Sequence, residues 1–222
     1  MNPQGFEPIY RNLPLIAQGI GLTLLLTVTT FVIGSVVGLI LALARLSPLR
    51  VTRWPASGLI TFLLSTPPVV HILWVYYALP IVAGIRFSDI EVLVFALSLN
   101  ASAVMAETYR SGIQAVDPGQ RDAAFVLGLS RREAFQLVVL PQAIRIIIPP
   151  MASQTINIVK DSSLAGFIGA NDLLNVGRFI VTKGFYAIET YSVIALLYFF
   201  LTYPIAVAGA RLEVRLRRWL RT

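Results

Sequence analysis

Apolar residues fill this chain in blocks too long for a soluble core. Stretches rich in Leu, Ile, Val and Ala recur at roughly 20–44, 57–83, 90–109, 138–159 and 187–210. Each approaches the ~20 residues a helix needs to cross a hydrocarbon layer about 30 Å thick. The pattern predicts an all-α polytopic membrane protein, with about five transmembrane helices forming one domain over residues 1–222. The fourth block is the weakest, because Arg145, Pro149 and Pro150 interrupt it.

One segment breaks the rhythm. VDPGQRDAAFVLGLSRREAFQLVVLP, residues 116–141, gathers Asp117, Arg121, Asp122, Arg131, Arg132 and Glu133 between two apolar blocks. Asp117-Pro118-Gly119-Gln120 reads as an N-cap, a proline at the first helical position and a glutamine in capping-box register. The helix should stop at Gly128, which adopts a left-handed backbone cheaply. Ser130-Arg131-Arg132-Glu133 is a second capping box, opening a helix through Ala134, Phe135 and Leu137 that runs on into the fourth block. Ala123 and Ala124 would leave a smooth face for another protein to approach, and a β-branched side chain at Gly128 would crowd the corner. Two helices around a glycine corner with flanking arginines also fit a DNA-binding helix-turn-helix. A second helix that continues into a membrane-length stretch does not sit easily in a major groove.

Composition supports the membrane reading. The chain is 56% hydrophobic and 13% charged, with a mean hydropathy of +0.75, whereas a soluble domain carries about 25% charge. A net charge of +7 would suggest nucleic acid in a soluble protein, but here its placement reports topology. Arg45, Arg50 and Arg53 follow the first block, Arg110, Arg121, Arg131 and Arg132 the third, and Arg211, Arg215, Arg217, Arg218 and Arg221 the fifth. Arg11, Arg86, Arg178 and Lys183 are left for the opposite side. The positive-inside rule then puts the N-terminus outside, and the central loop and C-terminus in the cytoplasm. The opening MNPQGFEPIYRNLP lacks the basic region of a cleaved signal, so the first span is expected to be retained.

Several chemistries lack their residues. There is no cysteine, and the only histidine is His71, which makes a histidine-built metal site a poor expectation. No G-x-x-x-x-G-K-[ST] phosphate loop surrounds Lys160 or Lys183, the two lysines, so ATP hydrolysis by that route must come from another chain.

DAAFVLGLSRREAFQLVVLP resembles the EAA loop of bacterial ATP-binding-cassette importer permeases, matching at Asp122, Ala123, Ala124, Gly128, Leu140 and Pro141. Asp122 stands where that family usually has glutamate. AETYRSGIQAVDPGQRDAA, LPQAIRIIIPP and IVKDSSLAGFIGANDLL are similar to the polar amino-acid uptake subfamily. The resemblance implies that residues 116–137 form a cytoplasmic coupling-helix pair between spans three and four, with Asp122, Ala123, Ala124, Gly128, Ser130 and Glu133 docking on an ATPase. It also implies a periplasmic solute-binding protein and a bacterial inner-membrane location. No cofactor is expected in this chain, with ATP and magnesium held by the partner. Five spans enclose little volume for a hydrophilic path, which implies a second permease subunit beside two ATPase subunits. That subunit is identical or different. Leu64-Ser65-Thr66-Pro67-Pro68 lacks an arginine the family often carries at Leu64, a hint that a different chain supplies it.

Polar groups within membrane blocks mark pathways or interfaces. The candidates are Glu107, Gln154, Asn157, Lys160, Asp161, Ser162 and Ser163, with Pro149-Pro150 expected to break the helix before the last six. Lys160 beside Asp161 offers both charges an amino-acid zwitterion needs, or simply a pair at the outer interface. Glu107 reads first as a structural residue, pairing with Arg110 one turn on. His71 reads as a packed, hydrogen-bonded histidine, and Trp74, Tyr76 and Tyr77 as interfacial belt residues. An ion-coupled secondary transporter using Glu107 and Asp161, and a membrane-anchored regulator using the helix pair, are the alternative readings.

Overall fold

The computed structural model describes residues 6–184 and 186–219, which are helical nearly throughout. A short α1 (Glu7–Arg11) leads into α2 (Leu13–Leu46), followed by α3 (Arg50–Ser65), α4 (Pro68–Leu73) and α5 (Leu79–Ala83). Next come α6 (Asp89–Gln114), α7 (Pro118–Val126), α8 (Arg131–Glu133), α9 (Leu140–Asp161), α10 (Leu173–Gly184) and α11 (Ala187–Trp219). Four helical stretches among the described residues are long and apolar enough to cross a membrane: Leu13–Leu46, Asp89–Gln114, Arg131–Ile168 and Ala187–Leu216.

The expected second span departs from a straight helix. α3 and the helical stretch Pro68–Ala83 meet at an angle of 105°, giving a fifth crossing only if the bent pair is taken as one span. The cause is local. A residue before proline is pushed out of the α region, and Thr66 sits at φ −109°, ψ 132° with Pro67 at φ −59°, ψ 138°. Pro149 and Pro150 behave differently. Against expectation, α9 runs through both without a break. Proline at φ near −65° removes an N–H without leaving helical geometry, and here α6 and α11 pack along α9 to support it.

Two further prolines are accommodated by wider turns. The π-helical segments Trp74–Ala78 and Ala134–Val139 each end two residues before a proline, Pro80 and Pro141. An i→i+5 turn opens room where a proline ring would otherwise press on the preceding turn. The second keeps α8 continuous with α9, so the helix opened by Ser130 does flow into the fourth span, as its sequence suggested.

The core forms around α2 and α6. The buried positions of α2 are Ile16, Gly19, Thr23, Leu26, Thr27, Thr30, Gly34, Gly38 and Ala42, one stripe of mostly small residues at helical spacing. Gly34 meets Ala101 and Gly38 meets Met105, so the two helices run in the same direction. Small residues permit this approach where lipid removes the usual hydrophobic drive. The opposite face of α2 exposes Leu25, Val28, Val32, Val36 and Ile40, as a lipid-facing surface should. A capping box of Ser88 and Glu91 opens α6, with both reciprocal bonds present.

Candidate functional site

The charged central segment is a well-defined corner. Asp117 accepts from Gly119 N–H at 2.8 Å to cap α7, but the structure gives α7 no reciprocal Gln120 arm of the expected capping box. At the other end Gly128 has φ +81°. Leu129 N–H donates to the Ala124 carbonyl and Gly128 N–H to that of Phe125. This is the Schellman pair of bonds that ends a helix on a left-handed residue. Ser130 and Glu133 then form a complete capping box, Ser130 N–H donating to Glu133 at 2.9 Å and Glu133 N–H to Ser130 Oγ at 3.3 Å.

Packing orients this corner. Ala124 is buried within the chain while Asp122 and Ala123 are exposed, so the expected two-alanine face reduces to Ala123. Val126 and Leu127, beside the glycine, are 87% and 82% exposed. Arg121 folds back to donate to the Ile113 carbonyl at 3.3 Å, and Val116 is buried against Val139, Ala143 and Ile147. The corner is thus fastened to the ends of α6 and α9 and offers an apolar tip. A Cβ at Gly128 meets nothing within 4 Å. Crowding is therefore absent, and the constraint there is backbone conformation alone.

A cavity of about 600 Å³ lies between α6, α9 and α11, lined by Thr108, Arg145, Ser153, Gln154, Asn157 and Glu213 together with apolar groups. Arg145, Pro149, Ser153 and Asn157 follow each other at four-residue intervals, so one face of α9 lines about 18 Å of it. Gln154 Oε1 accepts from Asn157 Nδ2 at 3.2 Å, which orients both amides. Pro149 and Pro150 also line the wall; having no N–H, they take the helical donors from the Arg145 and Ile146 carbonyls.

Of the candidate pathway residues, Gln154 and Asn157 face this cavity, and Lys160, Asp161, Ser162 and Ser163 are not among its lining residues. Ser162 and Ser163 donate to carbonyls of their own helix, Val159 and Lys160. No ion pair joins Lys160 and Asp161 among the described residues. Glu107 pairs with Arg110, as its spacing suggested, and also with Arg45 Nη1 at 2.6 Å. Arg45 was read from sequence only as a topology marker, since nothing local ties it to a residue 62 positions away. His71 is packed as expected but not hydrogen-bonded: it is buried with both ring nitrogens unpartnered among the described residues, because its neighbours are apolar, with Phe62 at 6.2 Å between ring centroids.

Sequence reasoning also passed over Asp172. Its carboxylate accepts from Leu174 N–H at 2.9 Å and Asn175 N–H at 3.3 Å, capping α10, and from Tyr198 Oη at 3.3 Å on α11. Leu173 N–H donates to Thr23 Oγ1 on α2 at 3.4 Å. Burial pushes the Asp172 carboxyl up to about 6, against the lowering effect of these donors. An Asp before the Leu173-Leu174 run is a readable N-cap signal, but its burial is not.

Residues 34–221 match the family described as binding-protein-dependent transport system inner membrane component. The probable amino-acid ABC transporter permease YckA of Bacillus subtilis (strain 168) is 38% identical over 188 residues, covering 85% of this chain and 83% of the relative. The glutamine transport system permease GlnP of Escherichia coli (strain K12) is 32% identical over 213 residues, covering 96% and 97%. Among solved structures, an amino acid ABC transporter with histidines superposes at a TM-score of 0.89 with 34% identity, covering 95% of this chain and 98% of the other.

Proposed function

The chain belongs to the binding-protein-dependent transport system inner membrane component family, and from that membership we propose that it is the membrane-spanning subunit of an importer carrying polar amino acids inward. It is a multi-pass inner-membrane permease subunit of an ATP-binding-cassette importer, and ATP hydrolysis in such systems belongs to a separate ATPase. The relatives named for glutamine and for histidines support the solute class.

The observation that carries the coupling role is the corner at Gly128. Its two bonded caps make it stiff, Arg121 and Val116 fasten it to α6 and α9, and Val126 and Leu127 present an apolar tip. A stiff element on the ends of two spans can pass movement to them as a lever. Asp122, Ala123, Gly128, Ser130 and Glu133 shape the surface that meets the ATPase, with Ala124 seating the lever on its own chain.

The solute path is assigned to the cavity between α6, α9 and α11. Gln154 and Asn157 supply oriented amides, and Ser153 adds a hydroxyl on the same wall. Groups that both donate and accept suit an α-amino acid, which carries a carboxylate and an ammonium. Glu107 is assigned to structure rather than to the path, because two arginines already occupy its carboxylate. The arginine distribution supports an external N-terminus and a cytoplasmic α7–α8 corner. Two ATPase subunits holding ATP and magnesium, a periplasmic binding protein and a second permease chain complete the assembly. The leucine at position 64 favours a second chain of different sequence.

Reconstitution tests this directly. The chain, coexpressed with partner ATPase and permease subunits and supplied with a periplasmic binding protein, should co-purify with the ATPase and take up radiolabelled glutamine or histidine in proteoliposomes only with ATP on the cytoplasmic side. Uptake driven by an ion gradient without ATP would overturn the reading in favour of a secondary transporter. Asn157→Leu should lower uptake while leaving assembly and basal ATP hydrolysis intact.

A further inference from the structure

The break in the second span leaves a specific vacancy in its hydrogen bonding. In a continuous helix the Leu63 carbonyl would accept from the N–H of residue 67, but residue 67 is proline and has none. Asn100 of α6 fills the gap, its Nδ2 donating to the Leu63 carbonyl at 3.3 Å. The neighbouring Phe62 carbonyl is taken by Thr66 Oγ1 at 2.9 Å. Thus one of the two carbonyls is closed by the C-cap of α3 and the other from a different span.

The two arms of the break are held in different ways. The α3 arm packs Ile60 and Leu63 against Ala103 and Ala106 of α6 and is fixed to it in addition by this directional bond. Beyond the break, Ile72 and Val75 sit in an apolar cluster with Val92, Leu93, Ala96 and Leu97 of α6, and His71 has neither ring nitrogen partnered among the described residues. Apolar contacts tolerate sliding, whereas a directional amide bond, here partly buried, holds one geometry. Meanwhile α6 runs without interruption from Asn100 to Gln114, about 21 Å, and only residues 115–117 separate it from α7.

We propose that Asn100 is a positioning residue for transport: it pins the α3 arm to α6, so that movement entering at α7 turns the α4–α5 arm about the Thr66–Pro67 break. This rests on the coupling role proposed for the α7–α8 corner. One polar pin partway along a rigid rod, with an arm held only by apolar contacts beyond it, is the arrangement of a hinge.

The test uses the intact importer, with its ATPases, second permease chain and binding protein in proteoliposomes, and radiolabelled glutamine and histidine as probes. ATP hydrolysis and uptake are measured together. Asn100→Leu should lower solute moved per ATP by about fivefold, the effect of losing one amide hydrogen bond, with ATP hydrolysis maintained. Asn100→Gln, which keeps a donor, should recover most of the ratio. An unchanged ratio in Asn100→Leu overturns the proposal. If that variant fails to assemble, Pro67→Ala decides, since it returns an N–H to position 67. In that background Asn100→Ala should no longer lower the ratio, and an undiminished loss overturns the proposal. Failure of the native importer to couple uptake to ATP would instead overturn the underlying coupling role.

Discussion

Arg45 and Glu107, 62 positions apart in sequence, meet at 2.6 Å where α2 and α6 converge. Arg110 grips the same carboxylate from one turn further along α6. The three side chains are partly exposed, so solvent weakens each pair, yet their removal is asymmetric. Losing Arg45 leaves Glu107 with one arginine; losing Glu107 leaves two arginines close together with no counter-charge. Glu107→Ala should therefore destabilise the purified subunit more than Arg45→Ala. The difference should be on the order of 1 kcal/mol, within the range for charged hydrogen bonds. Thermal denaturation in detergent across both single variants and the double variant measures it, and equal effects would show that the Arg45–Glu107 pair carries the whole contribution and Arg110 adds none.

Gly128 gives a second test, because backbone and steric causes separate cleanly there. Its φ of +81° disfavours side chains, while the space around a Cβ is open. Gly128→Asn should be well tolerated, since asparagine enters the left-handed region readily. Gly128→Ala should cost about 1 kcal/mol, and Gly128→Val more, because β-branching narrows the backbone further. ATP-driven uptake and retention of the ATPase on membranes should fall in that order. A Gly128→Val variant with native uptake would show that the corner carries no load.

The helical spans and both ends of the α7–α8 corner were legible because their causes are local. Apolar length, an N-cap and a glycine at the right register act within a turn or two. The prolines were not, although their positions are plain in the sequence. Pro67-Pro68 breaks a span and Pro149-Pro150 does not, and the difference lies in neighbours. At Leu63 an amide from α6 stabilises the broken form, whereas α9 is held straight between α6 and α11. Likewise Gln154 and Asn157 were found as polar residues in an apolar block, but Thr108 and Glu213 on the same wall come from other helices. Proximity across helices leaves no periodicity to read.

The α2–α6 contact supplies a matched pair of glycines. A Cβ on Gly38 would lie 2.8 Å from both Met105 Cβ and the Ser102 carbonyl, whereas one on Gly21 meets nothing within 4 Å. Gly38→Ala should push two closely packed helices apart and destabilise by about 1–3 kcal/mol. Gly21→Ala should be neutral or stabilising, as alanine favours helix by about 1 kcal/mol over glycine. Thermal melts of the two variants in detergent check this. A stable Gly38→Ala would mean that α2 and α6 slide past each other more freely than their packing suggests.

Asp172 predicts a pH dependence with a definite sign. The carboxyl is buried at the start of α10, and its folded value of about 6 stands above the ordinary 3.8. The folded state thus holds its proton more tightly than the unfolded chain. The resulting stabilisation is fully present below about pH 3.8, and is lost as pH rises through about 6. The window is therefore pH 4–6, and the size is about 1–3 kcal/mol. Asp172→Asn keeps an oxygen for the Leu174 or Asn175 N–H but cannot ionise. It should melt higher than the native protein at pH 7.5, and the gap should close as pH falls to 5. Tyr198→Phe removes the one side-chain donor the structure gives this carboxyl from α11, and should lower the native melting temperature most at pH 7.5, where the carboxylate is charged. If the gap between Asp172→Asn and the native protein is the same at both pH values, the carboxyl does not titrate in this window, and its burial is offset by the donors from Leu174, Asn175 and Tyr198.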